Sequence, residues 1–147
     1  MEKVCFAARI LWVGLGCQRG VSKFSIQKAI EWICAEYNLD LGTIAGIATL
    51  DRKANEIGLV DYCRESGVFL KTYRPERLNS VTVDRSSRLV SSLVGTTSVA
   101  EAAALSAAKT DILLVPKQKF RLDHQSGWIT LAIARSDRIV LERDPDT

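Results

Sequence analysis

The chain has 147 residues, of which 47% are hydrophobic and 25% charged. This length suits one domain with its own core, and the composition excludes disordered and collagen-like proteins. With 20 basic and 17 acidic residues the formal net charge is +3, too small to indicate a nucleic-acid-binding or membrane-surface protein. We therefore expect a single domain over 1–147, with a core spanning about 9–136 and a charged tail over 137–147 that frays.

The cysteine and histidine content argues against a metal site. The four cysteines are widely spaced, and His124 is the one histidine. Because zinc sites need closely paired Cys and His ligands, we expect no metal and read His124 as a solvated residue. Arg9 interrupts the first apolar segment, which argues against a secretion signal, and no apolar run is long enough to span a membrane. We expect a cytoplasmic protein with reduced thiols and no membrane or nucleic-acid partner.

The chain begins with a predicted strand, loop and helix. The apolar run over 10–15 is typical of a strand buried on both faces, and the segment GLGCQRG at 14–20 closes it with three glycines. Apolar residues then recur every three or four positions over 23–37. This spacing predicts a helix, with Ser22 or Ser25 as its N-cap.

A second strand is predicted over 44–50, followed by a helix that starts near Asp51 and continues with weaker periodicity over 54–66. Gly67 is expected to end this helix in the left-handed conformation. A third strand over 68–73 follows.

The second half continues the alternation. Pro75 favours a helix start or a turn over 74–78, and the polar stretch over 81–94 predicts a loop with one short helix. The alanine-rich segment 100–108 predicts a helix, and strands are expected over 112–115 and 128–134. Strands alternate with helices until the last two strands follow one another directly. We therefore predict a single-domain three-layer α/β/α sandwich around a mixed, mostly parallel sheet.

Three polar or glycine-rich turns lie at predicted strand ends or helix starts, at 14–20, 49–53 and 95–101. In open α/β sheets such turns collect at one edge, where helix N-termini present unpaired amides and a partial positive charge. Their cationic side chains are Arg19, Arg52 and Lys53. An anionic ligand bearing carboxylates or phosphates is therefore expected at this edge.

The individual residues of these turns leave alternatives open. Gly14, Gly16 and Gly20 are spaced one residue too far for a dinucleotide fingerprint, so they serve either a tight turn or a close approach of ligand. Glu101 follows Ser98 by three residues, the spacing of a capping box, and its carboxylate either caps the helix or acts as a base.

Other polar residues have a structural and a functional interpretation as well. Cys17 is either a buried structural thiol or a reactive one at a helix start. The basic residues Lys117, Lys119 and Arg121 form either a solvated face or a second group that contacts an anion. The tryptophans are expected to pack in or around the core rather than to form a stacking platform, with Trp128 at a strand start the candidate for exposure: Trp12, Trp32 and Trp128.

Five segments carry a family resemblance: GLGCQRG at 14–20, ATLDRKA at 48–54, VGTTSVAEAAAL at 94–105, LLVPK at 113–117 and TLAIA at 130–134. In this order they resemble the C-terminal domain of the cobalamin biosynthesis protein CbiG, a domain that also occurs alone as CobE. The resemblance covers nearly the whole chain, and it implies the fold predicted above together with a role in building the corrin ring.

The resemblance also implies a substrate. Full-length CbiG opens the δ-lactone of cobalt-precorrin-5A by hydrolysis and releases acetaldehyde. The tetrapyrrole (corrinoid) substrate is edged with acetate and propionate arms and carries any cobalt, so no cofactor of the protein is implied. Because CbiG has additional N-terminal and linker regions, the chain is expected to be either a CobE-like protein or a segment of a fusion. A precorrin methyltransferase or such an N-terminal region is the further partner implied.

Two functions follow for the same edge. In the first, Glu101 activates water for attack on the lactone, while Lys53, Arg19 and loop amides stabilise the oxyanion. In the second, the loops bind a corrinoid intermediate and pass it on with no bond made or broken. The residues expected to bind substrate in either case are Gly14, Gly16, Cys17, Arg19, Gly20, Thr49, Asp51, Arg52, Gly95, Ser98 and Lys117.

Overall fold

The computed structural model describes residues 9–51, 56–80, 98–122 and 127–136. This part of the chain forms five strands and four α-helices. The strands are β1 (Leu11–Cys17), β2 (Ile44–Leu50), β3 (Phe69–Tyr73), β4 (Leu113–Phe120) and β5 (Ile129–Arg135). The helices are α1 (Lys23–Glu36), α2 (Ile57–Ser66), α3 (Pro75–Asn79) and α4 (Val99–Ala108). A short 3₁₀ turn, Leu41–Thr43, precedes β2.

The strands form one sheet in the order β3-β2-β1-β5-β4. β1 pairs in parallel with β2, and β2 pairs in parallel with β3. β5 is antiparallel to both of its neighbours, β1 and β4, so β4 runs in the same direction as β1. The prediction of a mixed, mostly parallel sheet is confirmed.

Helices cover both faces of the sheet. Side chains alternate along β1, so that Leu11, Val13 and Leu15 join the apolar cluster with α1 and α2. Trp12, on the opposite face, belongs to a second cluster with α4 and with Leu78 of α3. The predicted three-layer arrangement is confirmed by these two separate cores.

The ends of the first two helices follow local signals in the sequence. The Ser22 hydroxyl accepts the N–H of Ser25 at 3.0 Å, so Ser22 is the N-cap of α1. Helix α2 ends at Gly67, whose φ of 70° is left-handed as predicted. Its start was predicted wrongly: α2 begins at Ile57, and Asp51 lies outside it directly after β2. The apolar spacing that buries the helix begins only at Leu59.

β4 is longer than the predicted strand over 112–115. It continues to Phe120 through Pro116 and two lysines, all of which lie beyond the end of the predicted strand. β4 is an edge strand, and its pairing with β5 shifts register on both sides of Val115. An edge strand tolerates proline because its outer N–H groups have no partner strand, and exposed lysines discourage further pairing.

Helix α4 packs unusually close to the sheet at Gly14. A Cβ on Gly14 would collide with the carbonyl oxygen of Ala100 and would lie 2.8 Å from the backbone nitrogen of Ala104. Residues 100–108 are all buried, and most are alanines. The absence of side chains on both surfaces therefore sets the distance between α4 and β1. The predicted loop over 81–94 and the charged tail over 137–147 lie outside the described residues.

We expect Gly14→Ala to lower the free energy of unfolding by about 3 kcal/mol, because the added methyl group must displace the backbone of α4. Gly16→Ala is the matched control, since an added Cβ there meets only the hydroxyl oxygen of Thr130. The control should lose less than about 1 kcal/mol in urea unfolding. Equal losses in the two variants would contradict this description of the contact.

Two thiols are buried in the core on the α1 and α2 side. Burial raises the pKa of Cys34 to about 11, with a smaller contribution from Asp40, and raises that of Cys63 to about 12, from an ordinary value of 9.0. In the unfolded chain both thiols ionise near the ordinary value, whereas the folded state keeps them protonated. The stability that depends on the neutral thiols is therefore fully present below about pH 9 and declines as pH rises toward 11–12.

We expect Cys63→Ala to reduce this decline. Between about pH 9 and 11 its free energy of unfolding should fall less steeply than that of the wild type, by about 1.4 kcal/mol per pH unit. Below pH ~8 the two curves should run parallel, because the thiol is neutral in both states. Curves that stay parallel up to pH ~11 would contradict the raised pKa. Urea titrations at a series of pH values provide the measurement.

Candidate functional site

The carboxyl ends of four strands meet at one edge of the sheet. We call this the carboxyl edge and define it by Cys17, Leu50, Tyr73, Phe120 and the start of β5 at Ile129. Helices α1, α2 and α3 each begin after a strand that ends here, and α4 runs back from this side into the start of β4. Helix N-termini therefore point toward the same edge and give it a partial positive charge.

A cleft of about 410 Å³ opens at the carboxyl edge between β1 and α1. Its lining comes from the loop after β1, from the first turn of α1 and from the residue two positions before β5: Gln18, Arg19, Gly20, Val21, Ser22, Ser25 and Gly127. Arg19, whose side chain is exposed, supplies a full positive charge. The cleft thus combines a guanidinium with a helix N-terminus, the two features that favour carboxylates and phosphates.

Contacts from distant segments fix the shape of the cleft. Gly20 has a φ of 83°, and its N–H donates to Oε1 of Glu56 at 3.1 Å. Glu56, the N-cap residue of α2, thereby holds the loop against the start of a second helix. On the other side Gly127 leaves room for Gln18, because a Cβ at this position would collide with the Gln18 amide.

Glu101 is almost fully buried, with 4% of its surface exposed, and its carboxylate binds backbone on two elements. Oε1 accepts the N–H of Ser98 at 3.3 Å, and the Ser98 hydroxyl accepts the N–H of Glu101 at 3.1 Å, which confirms the capping box. Oε2 accepts the N–H of Lys117 in β4 at 3.0 Å. The side chain therefore joins the N-terminus of α4 to the edge strand.

Several predicted substrate-binding residues build the edge without lining the cleft. The Thr49 side chain is fully buried, and its hydroxyl donates to the carbonyl of Leu15 at 2.5 Å, which ties β2 to β1. Gly14 lies beneath α4. Cys17 is half-buried and packs against the apolar cluster on the α1 side. These residues support the carboxyl edge from within the fold and do not line the cleft.

The structure brings together some predicted site residues and separates others. Arg19 and Gly20 lie in the cleft, whereas Glu101 and Ser98 lie at the start of α4 on the other face of the sheet. Asp51 is exposed directly after β2, and the Lys117 side chain is exposed on β4. Three predicted site residues lie outside the described residues: Arg52, Lys53 and Gly95. His124, which was expected to be solvated, lies outside them as well.

Sequence reasoning missed Gln18, Glu56 and Gly127 at the cleft. Glu56 stands directly before an apolar helical stripe, but its contact with Gly20 joins residues 36 positions apart, which spacing alone cannot reveal. Within 9–51, 56–80, 98–122 and 127–136, no three His, Cys, Asp or Glu side chains cluster as metal ligands. In that same part of the chain, no helix combines the length and hydropathy of a membrane span.

Comparison with known proteins places these observations in a family. The family described as "Cobalamin synthesis G C-terminus" matches residues 11–134, from the start of β1 to the last but one residue of β5. The chain belongs to this family. This match confirms the resemblance to the CbiG C-terminal domain that the sequence motifs indicated. The chain is therefore assigned to cobalamin biosynthesis.

A curated relative and two solved structures agree with this assignment. The "Cobalt-precorrin-5A hydrolase" of Priestia megaterium is 30% identical over 131 residues, covering 89% of this chain and 33% of that protein. The chain therefore spans about a third of the relative's length. The crystal structure of the cobalamin biosynthesis protein chiG from Agrobacterium tumefaciens str. C58 superposes with a TM-score of 0.66 at 26% identity, covering 87% of this chain and 99% of that one. The crystal structure of CobE gives a TM-score of 0.67 at 26% identity, with coverages of 88% and 95%.

Removing the Glu101 acceptor tests its structural contribution to the CbiG C-terminal fold. Glu101→Gln should lower the free energy of unfolding by about 2 kcal/mol, because an amide N–H₂ would face at least one backbone N–H in a buried position. Ser106→Ala on the same helix is the matched control. The Ser106 hydroxyl is buried and has no hydrogen-bond partner in the described part of the chain, so its removal should be neutral or stabilising. A neutral Glu101→Gln would contradict the structural role.

Proposed function

We propose that this domain binds a corrinoid intermediate of cobalamin biosynthesis at the carboxyl edge of its sheet. The observation that carries the proposal is the cleft at the start of α1, where Arg19 and a helix N-terminus converge. Family membership supplies the pathway, and the cleft supplies the chemistry for an acidic ligand. Precorrins and cobalt-precorrins fit this chemistry because acetate and propionate arms surround the ring.

The size of the cleft suggests how such a ligand binds. A volume of about 410 Å³ suits one or two carboxylate arms better than a whole macrocycle. We therefore infer that arms enter the cleft beside Arg19 while the ring lies across the carboxyl edge. In this proposal any cobalt belongs to the substrate, the protein has no cofactor of its own, and the domain works in the cytoplasm.

A second candidate function is participation in lactone hydrolysis, which the similarity to a cobalt-precorrin-5A hydrolase favours. Water would attack the δ-lactone carbonyl, whose oxygen would take up negative charge, and the ring C–O bond would then break to give a carboxylate and, after protonation, a hydroxyl group on the two-carbon fragment. Cleavage of the C–C bond that joins this fragment to the macrocycle would then release acetaldehyde and leave a proton on the macrocycle carbon. In this candidate Glu101 takes the proton from water, and Lys53 with Arg19 stabilises the oxyanion. Glu101 would have to release a backbone N–H to do so, because both of its oxygens accept one. The geometry therefore favours binding over hydrolysis as the function of the domain itself. The bound intermediate would then be transferred to a precorrin methyltransferase or to an N-terminal region.

Binding of hydrogenobyrinic acid, a metal-free corrin with free carboxylates, tests the proposal. We expect Arg19→Gln to raise its dissociation constant about tenfold, because a charge-assisted contact with an arm is lost. The fully methyl-esterified corrin should bind the wild type poorly. Arg135→Gln is the control, since Arg135 is also exposed and lies at the opposite end of β5. If the acid and the ester bind equally, or if Arg135→Gln costs as much as Arg19→Gln, the proposal is wrong.

Incubation with cobalt-precorrin-5A separates binding from hydrolysis. A binding domain should change the visible spectrum of the corrinoid without releasing acetaldehyde. Acetaldehyde that is lost in Glu101→Gln and Lys53→Ala, with both variants folded by circular dichroism, would instead establish the hydrolytic role. The assay needs only the purified domain and a trap for the aldehyde.

A further inference from the structure

A second cationic surface lies beside the cleft, where β4 ends and β5 begins. We call it the β4–β5 patch and define it by Lys119, Arg121, Trp128 and Thr130. Lys119 and Arg121 are exposed, Trp128 is 46% exposed, and Thr130 is half-buried. The patch combines two positive charges with a large exposed aromatic ring.

Strand register places these residues on one face of the sheet. Thr130 lies directly opposite Gly16 on one side and Lys119 on the other. Residues directly opposite one another in a sheet point to the same face. Gly14, two residues before Gly16, faces α4, so Lys119 and Thr130 lie on the α4 side.

Arg121 and Trp128 flank the last pair of this ladder, Phe120 and Ile129, and each lies two residues from Lys119 or Thr130. The guanidinium of Arg121 lies 4.5 Å from the centroid of the Trp128 ring. Such a cation–π contact aligns a flexible side chain over the indole and leaves its N–H groups available to acceptors. The pair therefore offers an ordered cation beside a broad apolar ring at the rim of the domain.

The patch and the cleft meet at the carboxyl edge, the cleft on the α1 side of the sheet and Lys119 and Thr130 on the α4 side. Gly127, which lines the cleft against Gln18, is the residue directly before Trp128. A ligand with an arm beside Arg19 would therefore have to extend across the carboxyl edge to reach Trp128. Tryptophan and arginine are enriched among the residues that contribute most to binding energy at interfaces.

We propose that the β4–β5 patch is the platform for the corrin macrocycle, with Trp128 against the apolar ring and Arg121 and Lys119 on its acidic arms. This inference rests on the proposed function, since it names the residues that hold the ring outside the cleft. We assign the macrocycle to this patch because the two surfaces are complementary. The corrin has a broad apolar ring surrounded by carboxylates, and the patch has an indole ring next to two cations. Trp128 is exposed, as the sequence allowed for this tryptophan, whereas its use as a stacking platform departs from the sequence-based expectation.

The ring contact of Trp128 and the charge contact of Arg121 should affect binding of hydrogenobyrinic acid differently. Trp128→Leu should raise the dissociation constant about tenfold and leave its dependence on salt unchanged, because no charge is removed. Trp128→Phe should recover most of the affinity. Arg121→Gln should raise the dissociation constant about fivefold at low salt and make the salt dependence shallower.

Matched variants at the opposite edge control for general effects. Tyr37→Leu removes an aromatic ring that is 39% exposed, and Arg135→Gln removes an exposed arginine from β5. Both should bind like the wild type. If Trp128→Leu and Arg121→Gln also bind like the wild type while Arg19→Gln binds weakly, the patch is not the platform and the proposed function stands. If the wild type does not bind the corrin at all, the proposed function fails and this inference fails with it.

Discussion

The arrangement of the carboxyl edge depends on the close packing of α4 against β1. Gly14 presents no side chain, and the facing residues of α4 are alanines, so backbone lies nearly against backbone. This distance lets Glu101 reach the main chain of β4 from within the capping box of α4. One contact between small residues thereby fixes a helix N-terminus, the edge strand and the central strand relative to one another.

At the carboxyl edge, buried and exposed polar side chains have different contacts. Buried groups such as Thr49 and Glu101 satisfy backbone donors and acceptors between elements. Exposed groups such as Arg19 and Arg121 carry positive charge at the places where strands end. Interior residues hold the loops in position, and exposed ones are free to contact a ligand that bears negative charge. In the proposed function, the corrinoid contacts only the exposed residues.

Local spacing predicted features that depend on neighbouring residues, including the Gly67 stop and the capping box at Ser98, and it narrowed the cap of α1 to Ser22 or Ser25. The alternation of elements was likewise sufficient for the sheet class. Features that depend on register or on distant pairs were not predictable, such as the contact of Glu56 with Gly20 and the pairing of Arg121 with Trp128. The full length of β4 was missed because proline and lysine disfavour strands except at an edge.

The most direct test of corrinoid binding at the carboxyl edge is paramagnetic broadening of backbone amide signals by cobalt(II) cobyrinic acid. The cobalt ion broadens nearby amides whatever contacts the ring makes. We predict strong broadening at Gly20, Ser22 and Gly127, and unchanged signals at Asn38 and Lys109, which follow the C-terminal ends of α1 and α4. Broadening centred on Asn38 and Lys109, with the carboxyl edge unaffected, would contradict the account.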